Sequence, residues 1–401
     1  MNFVKYVDDA YEQHLSQELK KLKLRDAKIE VIENATVVVN TDSRAFGIFD
    51  DSKKIVRSAL QYRGKNCQFI PKFNVADEYM DCDAMFLGNA YPHFGHFLME
   101  HLNRAWGAVR AGKVGMKYIF IDNTGVGAKS WLFDFMAMLG IQKSDVVILD
   151  KTTRFKRIFV PNQTMNISGN WCMPEFILPF QKMRDNVKAE NVYERVYVSR
   201  AKLDGTMRVH NEEKVQQIFE DNGFKVIYPE TMPLDQQAAV IGNCRMLAGC
   251  AGSALHLSVF MKPSGRVIQL RRTKDVADSG AVQYRLCMLG GLDFDVIDAS
   301  VEEVKSTHGG DHAPQIIGMT KYLKRFFDEN KFKYSPQDMF IDDEVLQDYR
   351  SAVAIFNATH GGSTTVLKIK KKIVKITACF IPGRIWRGRY RSWMNKHFVN
   401  K

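Results

Sequence analysis

Between Asn191 and Arg272 the hydrophobic pattern switches back and forth between strand-like and helix-like spacing, and no other feature of the chain restricts its fold as much. Glu194–Arg200 (ERVYVSR) reads as a strand ending in Ser-Arg. Val215, Ile218 and Phe219 then recur at helical spacing within 211–221, and Gly223 can end that helix. Phe224–Tyr228 (FKVIY) is a second strand, closed by Pro229, and 234–242 a second helix. A short buried run at 244–247 leads into Gly249–Ser253 (GCAGS), read as a tight turn, with a third helix over 254–261 and a strand over 265–270. Strands alternating with helices of about ten residues imply a parallel sheet wound by right-handed crossovers. Ligands of such sheets bind outside the carboxyl ends of the strands.

The GCAGS turn is the first candidate contact. Its glycines permit positive φ and close backbone approach, and the helix behind it would offer N–H groups to an anion such as a phosphate. The alternative is a tight turn with no ligand. No Gly-Lys-Ser/Thr follows, so it is not a P-loop, and the third glycine of a dinucleotide fingerprint is missing. Arg200 follows a strand's carboxyl end, where its guanidinium would clamp a diphosphate or make a surface ion pair. Arg208 precedes the next helix, which Asn211 and Glu212 would open as cap and first-turn acid. Glu230, after a strand, would meet a ribose hydroxyl or solvent. His256 would face the site or pack beneath it.

The second informative stretch is 81–106. A short buried strand over 84–87, turn residues at 88–92 and a helix from His93 to about Ala111 place His96 and Glu100 one turn apart on one face, with His101 pointing elsewhere. Three readings fit. The pair is a general base with its orienting carboxylate; or His93, His96, Glu100 and His101 hold zinc, although the spacing is neither HExxH nor HxxEH; or a buried His and Glu satisfy one another. Asp81-Cys82-Asp83 has the DxD form of a divalent-ion site and is read as a loop before a strand; the Asp50-Asp51 pair is read as a solvated loop or helix cap.

Tyr197-Val198-Ser199-Arg200, Arg208 with Asn211-Glu212, Tyr228-Pro229-Glu230, Gln236 and Gly249-x-x-Gly252-Ser253-Ala254-Leu255 follow in an order and spacing that resemble glycosyltransferase family 61, the inverting, metal-independent GT-B enzymes. Gly95-His96-Phe97-Leu98-Met99-Glu100 with Arg104 and Trp106 resembles the family's other block, and the similarity spans about Tyr91 to Arg271. Many relatives carry His-Gly-Ala in the glycine turn; Ala251 stands at the His position, so no role of that His carries over.

The first half also alternates strand and helix: strands over 118–122, 145–149 and 157–160, and a helix over 131–139 closed by Gly140. A further helix over 171–188 leads into the second half. With the resemblance, the expected fold is α/β, with two Rossmann-like domains facing a cleft in the GT-B manner and a helical, basic tail. The expected boundaries are 1–180 (acceptor domain), 181–310 (nucleotide-sugar donor domain), 311–363 (helical segment) and 364–401 (tail).

Charge sharpens this. The chain nets +12, yet 350–401 holds twelve bases and no acid, so the first 349 residues are neutral overall. A neutral body without a recognition motif argues against nucleic acid as partner. The tail Thr364–Lys401 mixes its bases with Ile369, Phe380, Trp386 and Trp393, a composition suited to an anionic membrane surface or to packing on the first domain. Seven scattered cysteines without CxxC fit a reducing compartment, and no signal segment or long apolar run is evident.

The resemblance implies an enzyme that moves a sugar from a nucleotide-sugar donor to a glycan or lipid-linked glycan acceptor, with inversion and with neither metal nor cofactor. His96 is the implied base, backed by Glu100. Arg200, Arg208, Glu230, Gly249, Gly252, Ser253, Ala254 and His256 are the implied donor contacts. The expected setting is the cytoplasmic face of a bacterial plasma membrane, in surface-polysaccharide or capsule assembly. Two other classes stay open: an inactive transferase-like protein that binds membranes or partners, and a metal-dependent hydrolase or phosphotransferase built on Asp81, Asp83 or the 93–101 histidines.

Overall fold

The computed structural model describes residues 1–63, 66–68, 70–112, 115–203, 208–274, 280–302 and 313–360, with 374, 377, 390, 393 and 394. The basic tail expected at 364–401 and residues 361–363 before it therefore lie outside the described residues, those five positions excepted. Among the described residues no helix is long and apolar enough to cross a membrane.

The alternating stretch builds a six-stranded sheet in which every pairing is parallel. Across it run Phe3–Tyr6, Asp293–Asp298, Arg266–Arg271, Met246–Cys250, Arg195–Val198 and Lys225–Ile227. Strand alternation sorts its side chains between two layers. Val196, Val198, Leu247, Val267, Phe294 and Val296 face one core, while Tyr197, Ala248, Ile268, Leu270 and Ile297 face the other. Helix Glu212–Asp221 packs on the second face and helix Leu234–Asn243 on the first. The chain therefore changes sides around Arg195–Val198. It runs outward to Lys225–Ile227, then crosses back to Met246–Cys250, so the winding reverses beside Arg195–Val198, the kind of position at which ligands of such sheets bind.

A second, mixed sheet has seven strands. Val146–Leu149, Lys117–Ile121, Glu78–Asn89 and Thr153–Pro161 run parallel, and Thr36–Asn40, Ala45–Phe49 and Ile29–Glu33 add antiparallel pairings. Ile29–Glu33 and Thr36–Asn40 both pair with Thr153–Pro161 rather than forming a hairpin with one another. Ala45–Phe49, fully buried and not read from the sequence, pairs with Thr36–Asn40. The long helix read over 171–188 is three elements: strand Trp171–Cys172, a 3-10 turn Pro174–Ile177 and helix Leu178–Asn186.

One apolar cluster fills the space between the two sheets. Met85, Leu87 and Phe120 from the mixed sheet share it with Val196, Leu247 and Phe294 from the parallel sheet, and Phe135, Phe180, Ile241, Phe260 and Leu286 bridge them. The first strand, Phe3–Tyr6, closes the far edge of the parallel sheet, with Phe3 stacked on Phe294 at 5.4 Å.

Candidate functional site

Strand Glu78–Asn89 is longer than the hydrophobic run at its centre, because its first half is ladder-bonded but polar. Asp81-Cys82-Asp83 lies inside this strand, not in a loop before it. Asp83 receives two bonds from Arg157, at 2.9 and 2.5 Å, and Asp81 pairs with Lys156 at 3.2 Å. Cross-strand bases on Thr153–Pro161 thus account for both carboxylates. Asp51 likewise pairs with Arg154 at 2.7 Å.

Past the strand's carboxyl end, Tyr91–His93 leads into a helical run that the sequence pattern reads as continuous. It is broken into four pieces: an α-turn Phe94–His96, a π-turn Phe97–His101, a 3-10 turn Leu102–Arg104 and an α-helix Trp106–Ala111. The break lies over a close contact with the preceding strand. A Cβ on Gly88 would stand 2.5 Å from the His101 carbonyl oxygen, so the strand passes directly beneath the widened turn. Arg104, fully buried, pins the same region by donating to the carbonyls of Ser58 and Leu60 at 2.8 Å and to that of Pro161.

His96 and Glu100 still meet. Nδ1 of His96 lies 2.5 Å from Glu100 Oε2. A carboxylate at this distance accepts from an Nδ1–H, and the tautomer with that proton leaves the Nε2 lone pair available. The Glu100 side chain is 8% exposed and that of His96 29%, which leaves the ring reachable while its partner is buried. Arg63 approaches the other Glu100 oxygen at 3.5 Å, and the Gln61 amide donates to the Glu100 carbonyl at 2.7 Å. His101 turns away and stacks on Tyr91 at 5.0 Å; burial pulls its pKa down to about 4, which keeps it neutral. Exposed His93 lies beside His96, ring centres 4.8 Å apart. Among the described residues, no three His, Cys, Asp or Glu side chains converge as metal ligands.

The glycine motif differs from its sequence reading in two respects. Strand Met246–Cys250 runs through Gly249, and the turn begins only at Ala251. Gly249 is a ladder residue whose missing Cβ admits Val198, since a Cβ there would lie 2.6 Å from Val198 Cγ2. The element after the turn is a six-residue 3-10 helix, Leu255–Phe260, not an α-helix, so it adds little dipole for an anion. Gly252 has φ 152°, and a Cβ on it would stand 2.8 Å from Arg200 Nη1: the guanidinium lies against the turn. Ser253 lies against Gly95, where a Cβ would overlap the Ser253 hydroxyl. The two sequence blocks, about 150 residues apart, therefore touch backbone to side chain, and each leaves the carboxyl end of a strand in a different sheet.

The remaining candidates spread out from this point. Arg200 is 6% exposed, and its backbone N–H donates to Glu212 at 3.1 Å. Asn211 sits at the N-cap position in left-handed conformation, but its side chain reaches the Ile317 carbonyl at 2.9 Å instead of capping the helix. Arg208 pairs with Glu213 at 3.2 Å and with Asp348 of helix Asp343–His360 at 3.7 Å. Glu230 is exposed in the short turn Pro229–Thr231. Ser253 and Ala254 are partly exposed on the turn itself. His256 is buried beneath it, with Nδ1 3.0 Å from Gln283, and burial lowers its pKa.

One residue at the site escaped the sequence reading. Arg272, directly after strand Arg266–Arg271, donates from Nε to the Ala251 carbonyl at 2.6 Å and from Nη1 to Gln315. It stands to its strand as Arg200 stands to its own, and that position after a strand was the available signal.

Residues 94–268 match the family model described as Glycosyltransferase 61. No curated protein matches the chain.

Proposed function

We propose that this protein, with its glycosyltransferase 61 domain at residues 94–268, moves a sugar from a nucleotide-sugar donor to a glycan acceptor with inversion at the anomeric carbon. The observation that carries the reading is the contact of Gly95 with Ser253. It sets a reachable imidazole on one side of a junction and a buried guanidinium on a glycine turn on the other.

The chemistry follows from that placement. Nε2 of His96 takes the acceptor hydroxyl's proton as the acceptor oxygen bonds to the anomeric carbon. Glu100 holds the tautomer and steadies the imidazolium. The bond from that carbon to the diphosphate breaks, and Arg200 at the Gly252 turn offsets the leaving charge in place of a metal. Arg208 is the weaker candidate in this conformation, since Glu213 and Asp348 already engage it.

In this reading the parallel sheet is the donor side and the mixed sheet the acceptor side of a GT-B-like arrangement. The basic tail holds the enzyme at the inner face of a bacterial plasma membrane, where a surface-polysaccharide acceptor grows. A thermal-shift panel of nucleoside diphosphates, with and without chelator, tests the core of it. One nucleotide at about 100 times its Kd should add ~2.7 kcal/mol and keep doing so under chelator. A flat panel would sink the reading, and a chelator-sensitive rise would sink its metal-free form. Removal of Thr364–Lys401 should abolish binding to anionic vesicles; retained binding would refute the tail's role.

A further inference from the structure

We propose that Glu212 is a positioning residue for Arg200, and that it takes up a proton when a diphosphate binds at the Gly252 turn. The inference rests on the donor reading of that turn.

Glu212 opens helix Glu212–Asp221, and its side chain is fully buried. One oxygen, Oε1, accepts the Arg200 backbone N–H at 3.1 Å and the Tyr197 hydroxyl at 3.3 Å. Tyr197 belongs to strand Arg195–Val198, and Arg200 lies just past its end. A single carboxylate therefore fixes both the strand's last turn of ladder and the residue whose guanidinium rests on Gly252. A first-turn acid serving only its helix would face solvent, as Glu213 does.

The charged and titratable groups around it come from several elements. Tyr197 and Arg200 approach from the strand and its exit, and the Cys250 thiol from strand Met246–Cys250, with Arg272 beyond it acting on that thiol. On its own helix Glu213 points to Arg208, and just before the helix His210 pairs with Asp348. Burial is the largest influence on Glu212 and lifts its pKa to about 7, against the opposing pull of Arg200. Near neutrality the acid and carboxylate forms thus coexist. The carboxylate offsets the charge of Arg200, and the neutral acid does not. A diphosphate drawn to Arg200 repels the buried carboxylate and competes for the same cation, so binding favours the protonated form, and the proton comes from solvent.

Calorimetric titration with a panel of nucleotide-sugars tests this, because their diester diphosphates have no group that titrates near neutrality. Wild type should bind up to about tenfold more weakly for each pH unit above about 7, with a heat that depends on the buffer's ionisation enthalpy, the mark of proton uptake. Glu212→Gln keeps an oxygen for Arg200 and Tyr197 and should bind with little pH dependence. Wild-type affinity that is level across pH, without a buffer effect, overturns the coupling and leaves the donor reading standing. So does a Gln variant with the wild-type pH profile. Absence of binding at every pH overturns both. The buffer effect is read on the wild type, so the test survives a Gln variant that fails to fold.

Discussion

At the scale of single residues, the site depends on a few contacts that substitution can separate. His96→Gln should lower kcat for sugar transfer by about 10²–10⁴-fold with an unchanged melting temperature. Full activity in that variant would remove His96 as the base. Gly95→Ala sets a methyl group against the Ser253 hydroxyl and should cost about 1–3 kcal/mol in a urea titration. Pairing it with Ser253→Ala should recover part of that loss, and strict additivity would show that the two residues do not touch. His101 gives a pH signature. Its folded pKa, about 4, lies below the ordinary value of 6.5, so the unfolded chain binds the proton more tightly. Its contribution is complete above about pH 6.5 and is lost as pH falls toward 4, with a total on the order of 3 kcal/mol. His101→Gln should flatten that part of the stability profile relative to wild type. His96 and Glu100 could be singled out from spacing alone, because both helical and widened turns bring i and i+4 together. The buried position of Glu212 could not be read, because a first-turn acid looks the same whether it faces solvent or the strand beneath.

At the scale of elements, the parallel strands between 194 and 271 were legible because each is short, apolar and bounded by turn residues. Where reading failed, the cause lay outside the segment. Gly249 resembles a turn residue, yet it stays in the ladder because strand Arg195–Val198 approaches too closely for a side chain. The helix over 93–111 has ordinary helical periodicity, but one turn of it is widened where the His101 carbonyl lies against Gly88. Phe3–Tyr6 was missed because four residues at a chain terminus carry little pattern, and its partner is Asp293–Asp298. Deletion of residues 1–8 should expose that strand's edge and remove the Phe3–Phe294 stack and the Tyr6–Glu329 bond. Denaturant titration should show a loss of several kcal/mol, and light scattering should show association through the open edge. An unchanged midpoint would mean that the strand is an ornament of the sheet.

At the scale of the whole molecule, the two sheets share one apolar core, so neither half is insulated from the other. Calorimetry should therefore give a single cooperative transition for the described body; two well-separated transitions would show that the shared cluster contributes little. The sequence by itself determined that the stretch from 194 to 270 builds strands of a parallel sheet, and it singled out two blocks as candidates for chemistry, because periodicity, glycine placement and charge are local properties. Only the tertiary structure decided that those blocks meet at Gly95 and Ser253, that Asp81 and Asp83 are consumed by Lys156 and Arg157, and that Glu212 lies beneath Arg200. Each of these is a contact between residues far apart in the chain, and such contacts are set by how layers pack, which no local pattern encodes.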